Sequence, residues 1–319
     1  MKREKYEPVL KNISYFIKWA EGAIVIGIVS GCIGTAFGKC VLWVSAFFQS
    51  HPWMVFLLPL SGLLVLGVYH ALGEDNNRGT NMVIESIYSN TEISFATAPA
   101  VFAGTLLTHL GGGSAGREGA AIQLGGSIGN QLGSWFHLDE EDRHVMVMCG
   151  MSAAFSAVFG TPMAAAVFSM EVVSVGIMYY AALVPCVIAS IIASKFAAGF
   201  GINPESFHVV NIPELTIETG LKMVLVAVAC AAISIIFCMA LQGVSKLYAK
   251  FLKNPYIRIV AASAIIIVIT LFLRTSDYMG AGNNLIELAV ENGQARPLDF
   301  FWKLVLPALT MRAGFRGGE

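Results

Sequence analysis

"GGGSAGREGAAIQLGG", residues 111–126, crowds glycines around one adjacent pair of charges, Arg117 and Glu118. The chain on both sides is long and apolar. Glycines at 111–113, 116 and 119 permit a tight loop that brings backbone close to a neighbour, and the residues after Glu118 have the small and apolar character of a helix. The pattern predicts a helix with Glu118 in its first turn. Free N–H groups and the positive end of the helix dipole make such a terminus an anion site. A glutamate there can occupy that site as a tethered anion. Paired with Arg117, it would be an ordinary first-turn ion pair.

Composition decides the surroundings. Hydrophobic residues make up 56%, charged residues 13%, and the mean hydropathy is +0.68. Soluble domains sit near 45–50% apolar and 25% charged. Five runs approach or exceed the roughly 20 residues that cross a bilayer as a helix. They are "AIVIGIVSGCIGTAFGKCVLWVSAFF", "WMVFLLPLSGLLVLGVYHAL", "AALVPCVIASIIASKFAAGF", "MVLVAVACAAISIIFCMAL" and "IVAASAIIIVITLFL". None alternates like a barrel strand. The fold class is therefore an all-α polytopic membrane protein, in contact with the lipid bilayer.

The start, "MKREKYEPVLKNISYFIKWAEG", has no short apolar core with a small-residue cleavage site and reads as a cytoplasmic lead-in. Lys2, Arg3, Lys5 and Lys11 place the N-terminus inside, with "KLYAKFLKNPYIR" (246–258) on the same side. The acidic stretch 201–220 is expected outside. The six cysteines stand singly in apolar runs without metal-ligand spacing and read as helix-packing residues. No cofactor or metal is expected. A net charge of −1 gives no reason to expect a nucleic-acid partner.

Shorter glycine-rich segments lie between the long runs. Pro162 follows "FGT" and suits the first turn of a new helix. Broken helices at membrane depth are tolerated only where exposed backbone lines protein or a water-filled cavity. An internal repeat accompanies them: "GTNMVIE" starts at Gly79 and "GNNLIEL" at Gly282, 203 residues on, while Leu107-Thr108 recurs as Leu309-Thr310 after 202. A duplicated transporter places half-helix N-termini from both repeats near the midplane. The expected organisation is one transmembrane domain over 1–319, a first repeat at 16–200, and a second from 213 to 319 that is incomplete.

"GREGAAIQLGGSIG" resembles the glycine-Arg-Glu-glycine signature of the CLC family of chloride channels and anion/proton antiporters. "GMSAAFSAVFGTPMAAAVFSMEV", residues 150–172, resembles that family's next signature block. The resemblance implies an inverted repeat of broken, tilted helices and a homodimer with one pore per subunit. It makes Glu118 the gating glutamate and proton carrier. Gly79, Thr80, Asn81, Gly116, Arg117, Gly119, Ala120 and Glu319 fall at the anion path.

Departures from the family's pattern bear on the ion. Chloride-selective members carry Gly-Ser-Gly-Ile-Pro, where this chain has "GTNMV" with Thr80 at the serine position. Gly119-Ala120 stands for glycine-proline, and "GFRGGE" puts Glu319 where an apolar residue is usual. Val172 stands where chloride/proton exchangers commonly have their internal proton-transfer glutamate, next to Glu171. These changes resemble the fluoride/proton antiporter branch, although the Thr80 hydroxyl could still serve chloride. The implied activity is fluoride export in exchange for protons. A chloride channel or chloride/proton exchanger is the alternative, and a non-transporting scaffold a third class.

Other polar residues invite plainer readings. His109 and Lys39 read as interface hydrogen bonding or snorkelling, with a proton path as the alternative. Asn81 and Asn284, at equivalent repeat positions, cap short helices or touch the ion. Glu85 and Glu287 read as partners of nearby backbone, and Glu171 closes an apolar helix.

Overall fold

The computed structural model describes residues 2–89, 93–173, 178–202, 204, 214 and 216–318. Among them are twelve α-helices and no strands. They are α1 (Lys2–Ser50), α2 (Leu58–Ala71), α3 (Thr80–Ser86), α4 (Thr97–Leu110), α5 (Glu118–Trp135), α6 (Glu140–Phe159), α7 (Pro162–Glu171), α8 (Leu183–Gly199), α9 (Ile217–Phe251), α10 (Pro255–Leu273), α11 (Asn283–Val290) and α12 (Asp299–Ala313). Short 3-10 turns at Pro52–Leu57 and Tyr180–Ala182 lead into α2 and α8. The expected start of the second repeat at residue 213, most of the acidic stretch 201–220, and Glu319 lie outside the described residues.

All five apolar runs lie in helices long and apolar enough to cross a membrane: Phe16–Ser50, Pro52–Ala71, Tyr180–Gly199, Ile217–Phe251 and Pro255–Leu273. The 35-residue spans of α1 and α9 are about 52 Å long at 1.5 Å per residue, against a hydrocarbon core of about 30 Å. Such helices must tilt or project. The short elements break where the local chemistry says they should. Asp139 caps α6 by accepting the Asp142 N–H at 2.9 Å. Gly160, at φ 69°, closes α6 in the left-handed conformation, and Pro162 opens the ten-residue α7. At about 15 Å, α7 is half a membrane deep.

The elements recur. Helix α1 ends at Ser50, α3 starts at Thr80 and α4 runs from Thr97 to Leu110; likewise α9 ends at Phe251, α11 starts at Asn283 and α12 runs from Asp299 to Ala313. In both series a very long helix comes first and the shortest comes third. They meet at Gly116 and Gly318, which pair antiparallel: each N–H donates to the other's carbonyl, at 3.0 and 2.8 Å. An antiparallel meeting of equivalent residues is what a two-fold relation between repeats requires. Two further bonds tie the two series together. The Ser114 hydroxyl donates to the Tyr278 carbonyl at 2.7 Å, and the Arg316 guanidinium to the Asn77 carbonyl at 3.1 Å.

Helices α1 and α3 to α8 share the main apolar core; α2, α9, α10 and α12, with Phe48 of α1, hold a second. Lipid is as apolar as a leucine, so close backbone approach and hydrogen bonds between helices hold such a core together. A Cβ built on Gly129 would lie 2.8 Å from the Val147 Cα, and one on Gly125 would collide with the Gly150 carbonyl. Across the next interface, the Ser152 and Ser156 hydroxyls donate to the Cys186 and Ser190 carbonyls at 3.1 and 2.8 Å. Gly125→Val is accordingly expected to cost about 3 kcal/mol or more by overpacking the α5–α6 crossing. Gel filtration of the variant in detergent should show loss of the monodisperse peak.

Candidate functional site

Glu118 is the first residue of α5, with Arg117 as its N-cap, as the glycine-rich loop predicts. The glutamate side chain folds back on its own helix end, where one carboxylate oxygen accepts the Arg117 N–H at 2.9 Å. Amides of a first helical turn have no partner within the helix. Their nitrogens converge: a Cβ built on Gly318 would stand 2.7 Å from the Glu118 nitrogen, 2.8 Å from that of Gly119 and 3.0 Å from that of Arg117. Those are hydrogen-bonding distances. The glycines at 116 and 318 thus let two loops cross over a cluster of donors without a side chain filling it.

A cavity of about 250 Å³ opens at this helix end, lined by Glu118, Gly119, Thr80, Asn81, Phe168 and Val172 among others. Thr80 starts α3, and its hydroxyl accepts from the Gln123 amide at 3.5 Å. Gly79 and Thr80 also line a neighbouring cavity of about 140 Å³ with Asn77, Gln123, Arg316 and Gly317. Glu118, Thr80 and Asn81, from elements far apart in the chain, thus line one cavity.

Other expected residues go elsewhere. The Arg117 side chain is 4% exposed and stacks over the Phe159 ring, 5.0 Å from its centroid. Ala120 is wholly buried in the core with its methyl off this cavity's wall. Asn81 and Asn284 cap nothing: the N-caps are Gly79 (φ 69°) and Gly282 (φ 90°), glycines whose left-handed backbone excludes other residues cheaply, and the Asn77 side chain accepts the Gly79 N–H at 2.8 Å. Glu85 lies in the last turn of α3 and pairs with the Arg78 guanidinium instead of backbone. His109 bonds within its own helix, to the Thr105 carbonyl at 3.0 Å, and Lys39 lies over the Phe200 ring. Glu171 ends α7 and is exposed.

Sequence reading passed over Gly318, Gln123 and Lys303. The 202-residue spacing that relates Thr108 to Thr310 also relates Gly116 to Gly318, so a signal for the first was present. Lys303, on α12, donates to the Gly280 carbonyl at 2.8 Å and to the Tyr278 carbonyl and Ser114 hydroxyl at 3.3 Å. It staples the loop before α11 to the loop before α5.

Comparison with known proteins agrees with this architecture. The family model described as voltage gated chloride channel matches residues 61–319. A chloride/fluoride channel protein of Pseudomonas syringae pv. tomato is 30% identical over 317 residues, 97% of this chain and 70% of that protein. The H(+)/Cl(-) exchange transporter ClcA of Cronobacter sakazakii is 27% identical over 72% of this chain. The chain spans about half (52%) of that transporter's length. Among solved structures, a CLC-type fluoride/proton antiporter superposes with a TM-score of 0.90 at 33% identity, covering 95% of this chain and 77% of the other. A slow cyanobacterial Cl−/H+ antiporter, at 18% identity and TM-score 0.78, shares the fold. These are transporters and channels, not enzymes. A polytopic helical chain with two repeats crossing at a glycine pair, and a family match over most of its length, is a member of the voltage-gated chloride channel (CLC) family.

Proposed function

We propose that the protein exports fluoride in exchange for protons, with Glu118 as gate and proton carrier. The observation that carries this reading is the Glu118 carboxylate lying on the amide end of its own helix, beside Gly318 and open to the cavity of Thr80 and Asn81. Ionised, the carboxylate competes with a permeating anion for the helix-end donors. Protonated, it loses that attraction and releases the site while holding a proton, so anion and proton exchange places. Gly116, Gly119 and Ala120 supply backbone around the donors, Gly79, Thr80 and Asn81 the wall opposite, and Glu319 a second carboxylate on the path.

Fluoride is small and strongly hydrated, so its site must offer several short donors in place of water. The converging amides of residues 117–119 suit it, and the likeness to a fluoride/proton antiporter supports the choice. Val172 on the cavity wall leaves no second carboxylate at that position, unlike the ordinary chloride/proton exchangers. The Thr80 hydroxyl favours chloride as the alternative ion. The transporter works as a homodimer in the cell membrane, each subunit with its own path, with the N-terminus and residues 246–258 cytoplasmic. Its two repeats lie at 16–200 and from 213 onward. Ion-selective electrodes on proteoliposomes test the ion: fluoride efflux should exceed chloride efflux by about tenfold or more, an advantage of at least about 1.4 kcal/mol. Chloride efflux equal to or faster than fluoride would overturn the assignment.

A further inference from the structure

Arg316 lies in the loop between α12 and Gly318, and three contacts tie it to the first repeat. The Thr108 hydroxyl accepts its N–H at 3.1 Å. Its guanidinium donates to the Asn77 carbonyl at 3.1 Å and lies over the buried Tyr69 ring, 4.2 Å from the centroid. Gly104 makes room for the pair: a Cβ there would stand 2.9 Å from the Tyr69 ring and 3.2 Å from the Arg316 Cβ. A planar cation that packs on a ring and bonds through its edge is held in one orientation.

What Arg316 holds is the start of α3. Asn77 is buried, and every polar part of it is used: its carbonyl takes the guanidinium, its side-chain oxygen accepts the Gly79 N–H at 2.8 Å, and its amide donates to Glu74 at 2.9 Å. Gly79 has φ 69°, a backbone that other residues adopt at a cost, so the turn needs this support. Thr80 follows it and stands on the walls of both the 140 Å³ and the 250 Å³ cavities. Arg316, two residues before Gly318, thereby links the loop that crosses the amides of residues 117–119 to the Thr80 wall. The other repeat makes its crossing with a short side chain: Ser114, 202 residues earlier, reaches the Tyr278 carbonyl with a hydroxyl.

We propose that Arg316 is a specificity-determining positioning residue, which fixes the spacing between the Thr80 wall and the amide cluster and so favours the smaller of two halides. It acts through Asn77 and Gly79, without touching the permeating ion. A small anion gives up its water only where all the replacing donors reach it at once. If the wall can move back, fluoride loses donors that the larger chloride still reaches. The positive charge of the guanidinium does not discriminate in this way, because at a given distance it attracts any monovalent anion equally. Selectivity is therefore the property that reports the positioning.

The inference rests on the anion-transport reading above. Proteoliposomes of the full chain, loaded with equal fluoride and chloride, give both fluxes by ion-selective electrode. Arg316→Met keeps an apolar stem against Tyr69 and should lower the fluoride-to-chloride ratio by about tenfold, less than the roughly 100-fold that a 1 Å misplacement can cost. Asn77→Ala frees the Gly79 N–H at the other end of the same link and should lower the ratio by a similar factor. The double variant should be no worse than the poorer single one, because both changes act through one turn. An unchanged ratio in either single variant, or losses that multiply in the double one, would overturn the proposal. If Arg316→Met gives no monodisperse peak on gel filtration, Arg316→Lys decides: it keeps the charge without the planar face, so the ratio should still fall by about threefold or more, and a wild-type ratio overturns the proposal. Failure of the antiport reading would appear in the wild-type protein itself, whereas this proposal is read from the change between wild type and variant.

Discussion

Glu118→Gln is expected to abolish proton movement coupled to anion flux, a loss of about 100-fold or more in the proton rate read by a pH electrode on loaded vesicles. Glutamine keeps the shape of the side chain, and its carbonyl oxygen can still accept the Arg117 N–H that the carboxylate takes now. What it lacks is a titratable proton and a negative charge. The charge matters as much as the proton, because a neutral amide is a weaker rival for the helix end than an ionised carboxylate, by roughly the twofold strength of a charge-assisted hydrogen bond. The variant should therefore fold, run as the wild type on gel filtration, and pass anions without moving protons. Continued proton transport would mean that another group carries them.

Gly318→Ala tests the other side of the same site. The added methyl would land 2.7–3.0 Å from three backbone nitrogens of residues 117–119, in the place proposed for the anion. The loops cannot simply part, because Gly116 and Gly318 exchange two hydrogen bonds and the Arg316 N–H is held by the Thr108 hydroxyl at 3.1 Å. Losing one donor from a preorganised oxyanion site costs about 10²–10³ in rate. Blocking three should reduce fluoride flux by about 100-fold or more while the folded protein is retained. Wild-type flux in a well-folded Gly318→Ala protein would show that the anion does not use these amides.

Much of this was legible in the chain because the governing physics is local. Five apolar runs are long enough to span a bilayer, and each is a helix. A proline after a glycine turn starts α7, and a carboxylate after a glycine-rich loop starts α5. Where contacts join distant residues, the sequence was less transparent. The pairing of Gly116 with Gly318 joins positions 202 residues apart, and only the repeat hinted at it. Asn81 and Asn284 look like caps because asparagine so often caps, yet a left-handed turn at Gly79 and Gly282 fixes those starts. Glu85 finds Arg78, seven residues earlier, because α3 and the turn before it bring the two side chains together. Lys303 sits as a lone cation in the apolar stretch "FFWKLVLPAL", and its three acceptors come from two separate loops.

We propose that one helix end serves an anion and a tethered carboxylate in turn. The most direct measurement uses proteoliposomes with a fluoride gradient and no initial pH gradient, with both ions recorded together and the membrane voltage clamped by a potassium ionophore. Fluoride running down its gradient should drive protons uphill in the opposite direction, and the proton signal should vanish with Glu118→Gln. Fluoride flux with no proton movement in the wild-type protein would contradict the exchange mechanism.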